Sequence, residues 1–217
     1  MEIDFWLNAW TEGKTRFHQS AYNPNMKEFF KNKDLTDRRV FIPMAGKTLD
    51  INYFLNKGAN VTAVECSSKA IMDFFKDNNM QYELTEQGDY LVYKSGNLTY
   101  LQGDYFTLSK KELPIIDYIY DRASIVALPY KMRVKYVQKM GELVREQQTR
   151  LCIITFECDL EVNMGPPFMI PAAEIEELYA NSGINLSKKI VGTGPVPPHY
   201  REEGVTEMYR VLWSNKL

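Results

Sequence analysis

The sequence predicts an α/β fold with a mainly parallel sheet of about seven strands. Three observations predict it. Short apolar runs that suit buried strands alternate with segments of helical periodicity. The first such run, Val40-Phe41-Ile42, is closed by Pro43; Gly46 follows, then a helical pattern through Leu49, Ile51, Phe54 and Leu55. This reads as strand, tight turn and helix. Finally, Gly46, Glu65, Asp104 and the pair Asp121-Arg122 each fall just past a strand candidate, and parallel strands would carry all of them to one sheet edge.

Taken in order, residues 3–10 carry Ile3, Phe5, Trp6, Leu7 and Trp10, with Trp6 and Trp10 spaced to share a helix face. Gly13 breaks the pattern, and residues 14–19 form a loop. This segment is either an arm that packs its aromatics on the core or a lid whose aromatics cover a cofactor; composition favours packing. A helix is expected over 25–32. The strand Val61-Thr62-Ala63-Val64 ends in Glu65, 19 residues beyond Gly46. An acid at that spacing is placed to accept hydrogen bonds from ribose hydroxyls. The alternative is an acid that is solvated or caps the next helix, because one glycine is not G-x-G-x-x-G. Ser67 is a good N-cap for a helix through Ile71, Phe74 and Phe75.

Residues 83–103 are polar and broken by Gly88, Gly96 and Gly103, with short strands at 90–93 and 98–101. Asp104-Tyr105-Phe106 suits either an adenine slot or a turn in which Asp104 caps backbone amides. A strand runs from Ile115 to Arg122. Pro129 starts a helix with the face Val134, Val137, Met140, Leu143 and Val144. Another strand, 150–156, ends in Glu157. Gly165-Pro166-Pro167-Phe168 is a stiff loop, and Pro171 opens a helix with Ile175, Leu178 and Tyr179. Strands at 184–191 and 207–213 fit a hairpin, joined by a Gly/Pro-rich loop over 193–204. No internal repeat, low-complexity segment or linker occurs, so one domain over 1–217 is expected.

The 217 residues suit one domain of sizeable core. Hydrophobic content of 45% and charged content of 25% are those of a soluble globular chain. A net charge of −2 and the lack of lysine runs argue against nucleic acid. No apolar run approaches the roughly 18 residues of a membrane span. The acidic, aromatic start, Met1-Glu2-Ile3-Asp4-Phe5-Trp6, is unlike a secretory signal. Three cysteines, Cys66, Cys152 and Cys158, with no C-x-x-C, argue against disulfides and zinc and for a reducing cytoplasm. A cytoplasmic monomer is expected, with no metal.

Several segments in one order resemble the bacterial branch of the thiopurine S-methyltransferase family. They are Phe5-Trp6 through Trp10, Gly13 to Gln19, Pro43-Met44-Ala45-Gly46-Lys47, Val64-Glu65, Gly103-Asp104-Tyr105-Phe106, Tyr120-Asp121-Arg122-Ala123 and Gly165-Pro166-Pro167-Phe168. The resemblance covers nearly the whole chain. The family has Leu-Cys where this chain has Met44-Ala45, so no thiol chemistry is required there. It also often carries cationic residues in the loop occupied here by Val196 to Arg201.

The resemblance implies a single-domain Rossmann-like methyltransferase fold, with helices on both faces of the sheet and residues 1–24 as an N-terminal helical lid. It implies S-adenosyl-L-methionine as cofactor. Trp6, Trp10 and Phe17 would close over it, Met44 and Gly46 would line the methionine and ribose side, Glu65 would hold the ribose hydroxyls, and Asp104 and Tyr105 would border the adenine. Arg122 would reach both cofactor and substrate as the catalytic residue, and Phe17 would also touch substrate. The acceptor would be a small aromatic or heterocyclic thiol; tellurium, selenium or halide anions, or a non-catalytic nucleotide-binding module, are the alternatives. A nearby cation such as Arg122 favours a thiolate; its other role would be an ion pair with Asp121 or Glu157. His18 and His199, the only histidines, are candidate bases, with a loop hydrogen bond or an exposed ring as the simpler account. A dinucleotide oxidoreductase is disfavoured, because the turn lacks the three glycines that admit a pyrophosphate.

Overall fold

The computed structural model describes residues 3–15, 18–113, 115–144, 148–162 and 164–215. Nine strands hydrogen-bond in one sheet in the order β3-β4-β5-β2-β1-β6-β7-β9-β8. They are β1 (Arg39–Ile42), β2 (Asn60–Glu65), β3 (Glu83–Gln87), β4 (Tyr90–Ser95), β5 (Leu98–Gln102), β6 (Tyr118–Arg122), β7 (Arg150–Cys158), β8 (Leu186–Gly194) and β9 (Met208–Asn215). The described helices are α1 (Ile3–Thr11), α2 (Pro24–Phe30), α3 (Asp50–Asn56), α4 (Ser68–Asp77), α5 (Tyr130–Val144), α6 (Ala172–Asn181) and α7 (Pro198–Glu202). The chain forms two compact units, Met1–Tyr120 and Asp121–Leu217.

In the first unit, β1 pairs in parallel with β2 and β6, and β2 with β5. Val40, Phe41 and Ile42 are buried, and Pro43 stops the ladder. Asn23 caps α2, its side chain accepting from the Asn25 and Met26 amides, with Pro24 at the first helical position. Ser67 caps α4 through the Ala70 amide. The core between these elements is aromatic. Phe30 meets Phe54 and Tyr118 edge-on, Phe54 packs on Tyr120, and Phe74 packs on Tyr100. Arg39 donates to Asp117 from its backbone and its guanidinium, pinning the starts of β1 and β6. Helix α1 packs on α4.

In the second unit, β7 pairs antiparallel with β9, and β9 with β8, with an irregularity between Ile190 and Gly192. The indole N–H of Trp213 donates to Thr155 across β7 and β9. Met169, Val196, Tyr200, Val205 and Met208 form a separate buried cluster.

The architecture corrects several expectations. Among the described residues there are nine strands rather than about seven, and β3 has no counterpart in the sequence reading. Every β3 residue is exposed, so no apolar alternation marks it. The sheet is mixed rather than mainly parallel, because β3-β4-β5 and β7-β9-β8 are antiparallel runs. The strand expected from Ile115 starts at Tyr118, and Ile115 is 52% exposed. The loop expected over 193–204 contains α7.

Candidate functional site

Strand β1 has β2 on one side and β6 on the other. The chain leaves β1 for β2 and later returns to β1's other side, which makes the carboxyl end of β1 a topological switch point. In open α/β sheets, ligands bind at such a point.

The turn after β1 is shaped for this position. Met44 and Gly46 both have positive φ, 46° and 55°. Four hydrogen bonds then tie the ends of β1, β2 and β5 together. The Ala45 amide donates to the Val64 carbonyl at 2.9 Å. The Gly46 amide donates to Glu65 Oε2 at 2.7 Å. The buried Tyr100 hydroxyl donates to the Gly46 carbonyl at 3.0 Å, and the Gly103 amide to the Glu65 carbonyl at 3.0 Å. Gly46, Glu65 and the Gly103-Asp104 corner are thus brought together, as the sequence predicts.

Glu65 is 5% exposed. Its Oε1 accepts from the Ser67 amide at 2.8 Å and the Cys66 thiol at 3.3 Å. Burial pushes its carboxyl above the ordinary range, while the Ser67 and Gly46 amides pull the other way. Burial, then the charge of Glu65, pushes the Cys66 thiol up, so it stays protonated. The half-buried Asp104 caps a single 3₁₀ turn, accepting from the Phe106 amide at 2.9 Å. Its carbonyl accepts from Tyr90. Gly103 is required there, because a Cβ would sit 2.5 Å from the Tyr90 ring. Tyr105 is buried and stacked on Phe41, with centroids 6.5 Å apart and planes 13° apart.

Asp50, at the start of α3, received no role from the sequence. It is buried, and it accepts from the Asn23 amide and the Tyr120 hydroxyl, both at 2.8 Å. It therefore joins the segment before α2, the helix after the Gly46 turn, and β6. The available signal was an acid in a helix's first turn just after a glycine turn. On α1, Trp10 is buried, and Trp6 is half-buried with its ring perpendicular to Phe5. Phe17 lies outside the described residues. His18 is half-buried, its amide donating to Thr15.

In the second unit, Asp121 is fully buried. It accepts from the Ser124 and Ile125 amides and, at 2.8 Å, from the Tyr136 hydroxyl. Burial raises its carboxyl from 3.8 to about 6 against the pull of those hydrogen bonds. Arg122 is half-buried and is followed by Ala123 at φ 69°. Glu157 pairs with Lys188 at 2.6 Å. Phe168 donates its amide to Val126 at 2.6 Å, and its ring faces the Arg133 guanidinium at 5.4 Å. Arg133 also holds Glu174 through two hydrogen bonds and donates to the Leu128 carbonyl. Arg133 carries no role in the sequence, because it is one of several cations on an amphipathic helix and its partners lie in distant segments. His199 is exposed, and Arg201 donates to the Val196 carbonyl at 2.8 Å.

Among the described residues, no group of three or more His, Cys, Asp or Glu side chains could hold a metal, and no helix is long and apolar enough to cross a membrane. The rim after β1, β2 and β5 is rich in acceptors: the Glu65 carboxylate, Asp104 and the carbonyls of the turns. This acceptor set suits a cation bearing hydroxyls rather than a phosphate, which needs N–H donors.

A family model described as Thiopurine S-methyltransferase (TPMT) matches residues 1–215. A thiopurine S-methyltransferase of Acinetobacter baylyi is 35% identical over 187 residues, covering 84% of this chain and 85% of the relative. One of Bordetella pertussis is 36% identical over 182 residues, covering 83% and 82%. Among solved structures, the chain is similar to the 1,6-didemethyltoxoflavin-N1-methyltransferase of Burkholderia thailandensis, with bound 1,6-didemethyltoxoflavin and S-adenosylhomocysteine. The TM-score is 0.63 at 17% identity, over 99% of this chain and 86% of that one. That likeness is one of fold.

Proposed function

Because the chain belongs to the thiopurine S-methyltransferase family, we propose that it methylates the sulfur of small aromatic or heterocyclic thiols with S-adenosyl-L-methionine. The observation that carries this reading is the knot at the switch point, where Gly46 and the corner at Gly103 both bond to Glu65. When bound, the cofactor supplies a methyl group on a positively charged sulfur.

Each residue then has a task. Glu65 accepts from the ribose hydroxyls, which take the place of its long contact with the Cys66 thiol while the short bonds to the Gly46 and Ser67 amides hold the carboxylate in position. Met44 and Gly46 line the methionine and ribose side, where the positive φ of Gly46 allows close backbone approach. Asp104 and the backbone of Tyr105 border the adenine, while the Tyr105 ring props the wall from behind. Trp6, Trp10 and Phe17 act as the lid, within an N-terminal segment 1–24, and Phe17 also borders the substrate. Arg122 favours the thiolate by its charge and orients an anionic acceptor. No general base is needed when the acceptor arrives ionised, so neither histidine is given that work. The whole of 1–217 works as one methyltransferase domain, in a cytoplasmic monomer. The three free cysteines suit a reducing compartment.

The test is incubation of the pure protein with labelled cofactor, 6-mercaptopurine and a panel of thiols. Labelled S-methyl product is expected; none across the panel would overturn the reading. Glu65→Gln turns an amide N–H toward a backbone N–H, so the KM for the cofactor should rise roughly 10-fold or more, with some loss of stability. Arg122→Ala should move the thiol limb of the pH–rate profile up by about 1 unit or more, and Arg122→Lys should restore part of it.

A further inference from the structure

A second concave site lies in the Met1–Tyr120 unit, between α2 and α3. It is a cleft of about 510 Å³ lined by Tyr22, Pro24, Lys27, Glu28, Lys31, Tyr53 and Lys57. The cleft is open to solvent, and its volume is within the roughly 300–1,000 Å³ of small-molecule sites. A bare inorganic ion would fill only part of it. None of these residues belongs to the set proposed for methyl transfer.

The charge here runs against that of the chain, whose net charge is −2. Lys27 stands on α2, Lys31 caps the end of that helix about one turn further on, and Lys57 caps the end of α3. Among the described residues, Lys27 and Lys57 make no ion pair. Lys31 reaches Glu28 only at 3.9 Å, with both side chains largely exposed. Three cations thus face the cleft against one carboxylate. A surface lysine is usually just solvated, but here two elements aim lysines into one concavity whose other walls are phenolic. Tyr22 and Tyr53 meet edge to face, with centroids 5.8 Å apart at 72°. The Tyr22 oxygen accepts a long hydrogen bond from Asn56. Neither phenol donates its O–H to a protein group among the described residues, so five donor groups border the cleft with donor capacity to spare. The ring faces and Pro24 supply an apolar wall.

We propose that this cleft binds a small phosphate monoester carrying an aromatic or heteroaromatic ring. A phosphate monoester carries about −1.5 to −2 at neutral pH, which matches the local excess of cations better than a carboxylate does. Lysine serves such groups as a mobile point charge. The ring rests against Tyr22 and Pro24 while the lysines and phenol protons take the phosphoryl oxygens.

The test uses the ¹⁵N-labelled full-length protein, titrated at low salt with phenyl phosphate, adenosine 5′-monophosphate, inorganic phosphate and phenol. Saturable shifts are expected at amides around 22–31 and 53–57 with both esters, at concentrations at least about 10-fold below those needed with inorganic phosphate or phenol. Lys27→Ala and Lys57→Ala should each weaken binding about three- to fivefold, and the double variant more, while all three stay folded because these side chains are exposed. Added salt should weaken it further. Glu65→Gln, which weakens the other site, should leave phenyl phosphate binding unchanged. The proposal is overturned by no saturable shift with either ester, by unchanged affinity in the double variant, by equal affinity for inorganic phosphate, or by shifts confined to residues near Gly46 and Glu65.

Discussion

Asp121 loses its water on folding, and the hydrogen bonds it accepts do not make up for the loss. Its carboxyl rises from 3.8 to about 6 for that reason. Between about pH 4 and pH 6, the folded state keeps a proton on Asp121 that the unfolded chain has released. Its contribution is therefore fully present below about pH 4 and lost as pH rises through about 6, by about 3 kcal/mol. Acids held below their usual range, such as Asp117 beside Arg39, act in the opposite sense, their contribution being lost as pH falls. The difference between wild type and Asp121→Asn isolates the first effect. Urea denaturation at several pH values should show that Asp121→Asn lacks this slope and is at least as stable at pH 7. Its carbonyl can accept from Ser124 and Ile125, and its amide can donate to Tyr136. Tyr136→Phe removes the hydroxyl donor and should cost about 1–3 kcal/mol, more at pH 7 than at pH 4. A wild type and Asp121→Asn with identical pH profiles would rule this account out.

At the scale of elements, α5 shows what periodicity conveys and what it hides. Its apolar face, with Val137, Met140 and Leu143 buried, is legible because burial repeats with the helical period. Arg133 on the same helix is also buried, yet no pattern marks it, because its partners come from distant segments. It spans Glu174 on α6, the Leu128 carbonyl and the Phe168 ring of the Gly-Pro-Pro-Phe loop. Arg133→Ala leaves Glu174 without its partner and should cost about 3–5 kcal/mol in chemical denaturation. Arg133→Lys should recover little, since one ammonium cannot span these partners. A lysine variant of wild-type stability would reduce the site to a simple ion pair. The missed strand β3 has the converse cause: it is held by hydrogen bonds to β4 and buries nothing, so composition carries no trace of it.

For the molecule as a whole, the proposed cofactor makes a quantitative demand. A ligand that binds only the folded state stabilises it by about 2.7 kcal/mol at 100 times its Kd. For a chain of this size, that is a rise in Tm of roughly 5–10 °C. S-adenosylhomocysteine at that excess should produce it in scanning calorimetry, and Glu65→Gln, with affinity down roughly 10-fold or more, should cut it to about half or less. An unchanged Tm at millimolar ligand would count against the pocket. The candidate site was legible in outline, because each of Gly46, Glu65 and Asp104 follows an apolar run, and the chain must turn where such runs stop. The partners that hold them, Tyr100, Tyr90 and Ser67, were not legible as parts of the site.

By itself, the sequence determined the α/β class, the strand–turn–helix at 39–55, the cap at Ser67 and the positions where polar residues follow strands. Each depends on neighbours within a few residues, where hydrophobic period and backbone sterics act. Only the tertiary structure decided that β6 lies beside β1, which creates the switch point, and that two antiparallel runs complete the sheet. It alone joined Asp50 to Asn23 and Tyr120, and gathered three lysines around two tyrosines. Those choices rest on pairings between residues far apart in the chain, and their energies exist only once the chain has closed on itself.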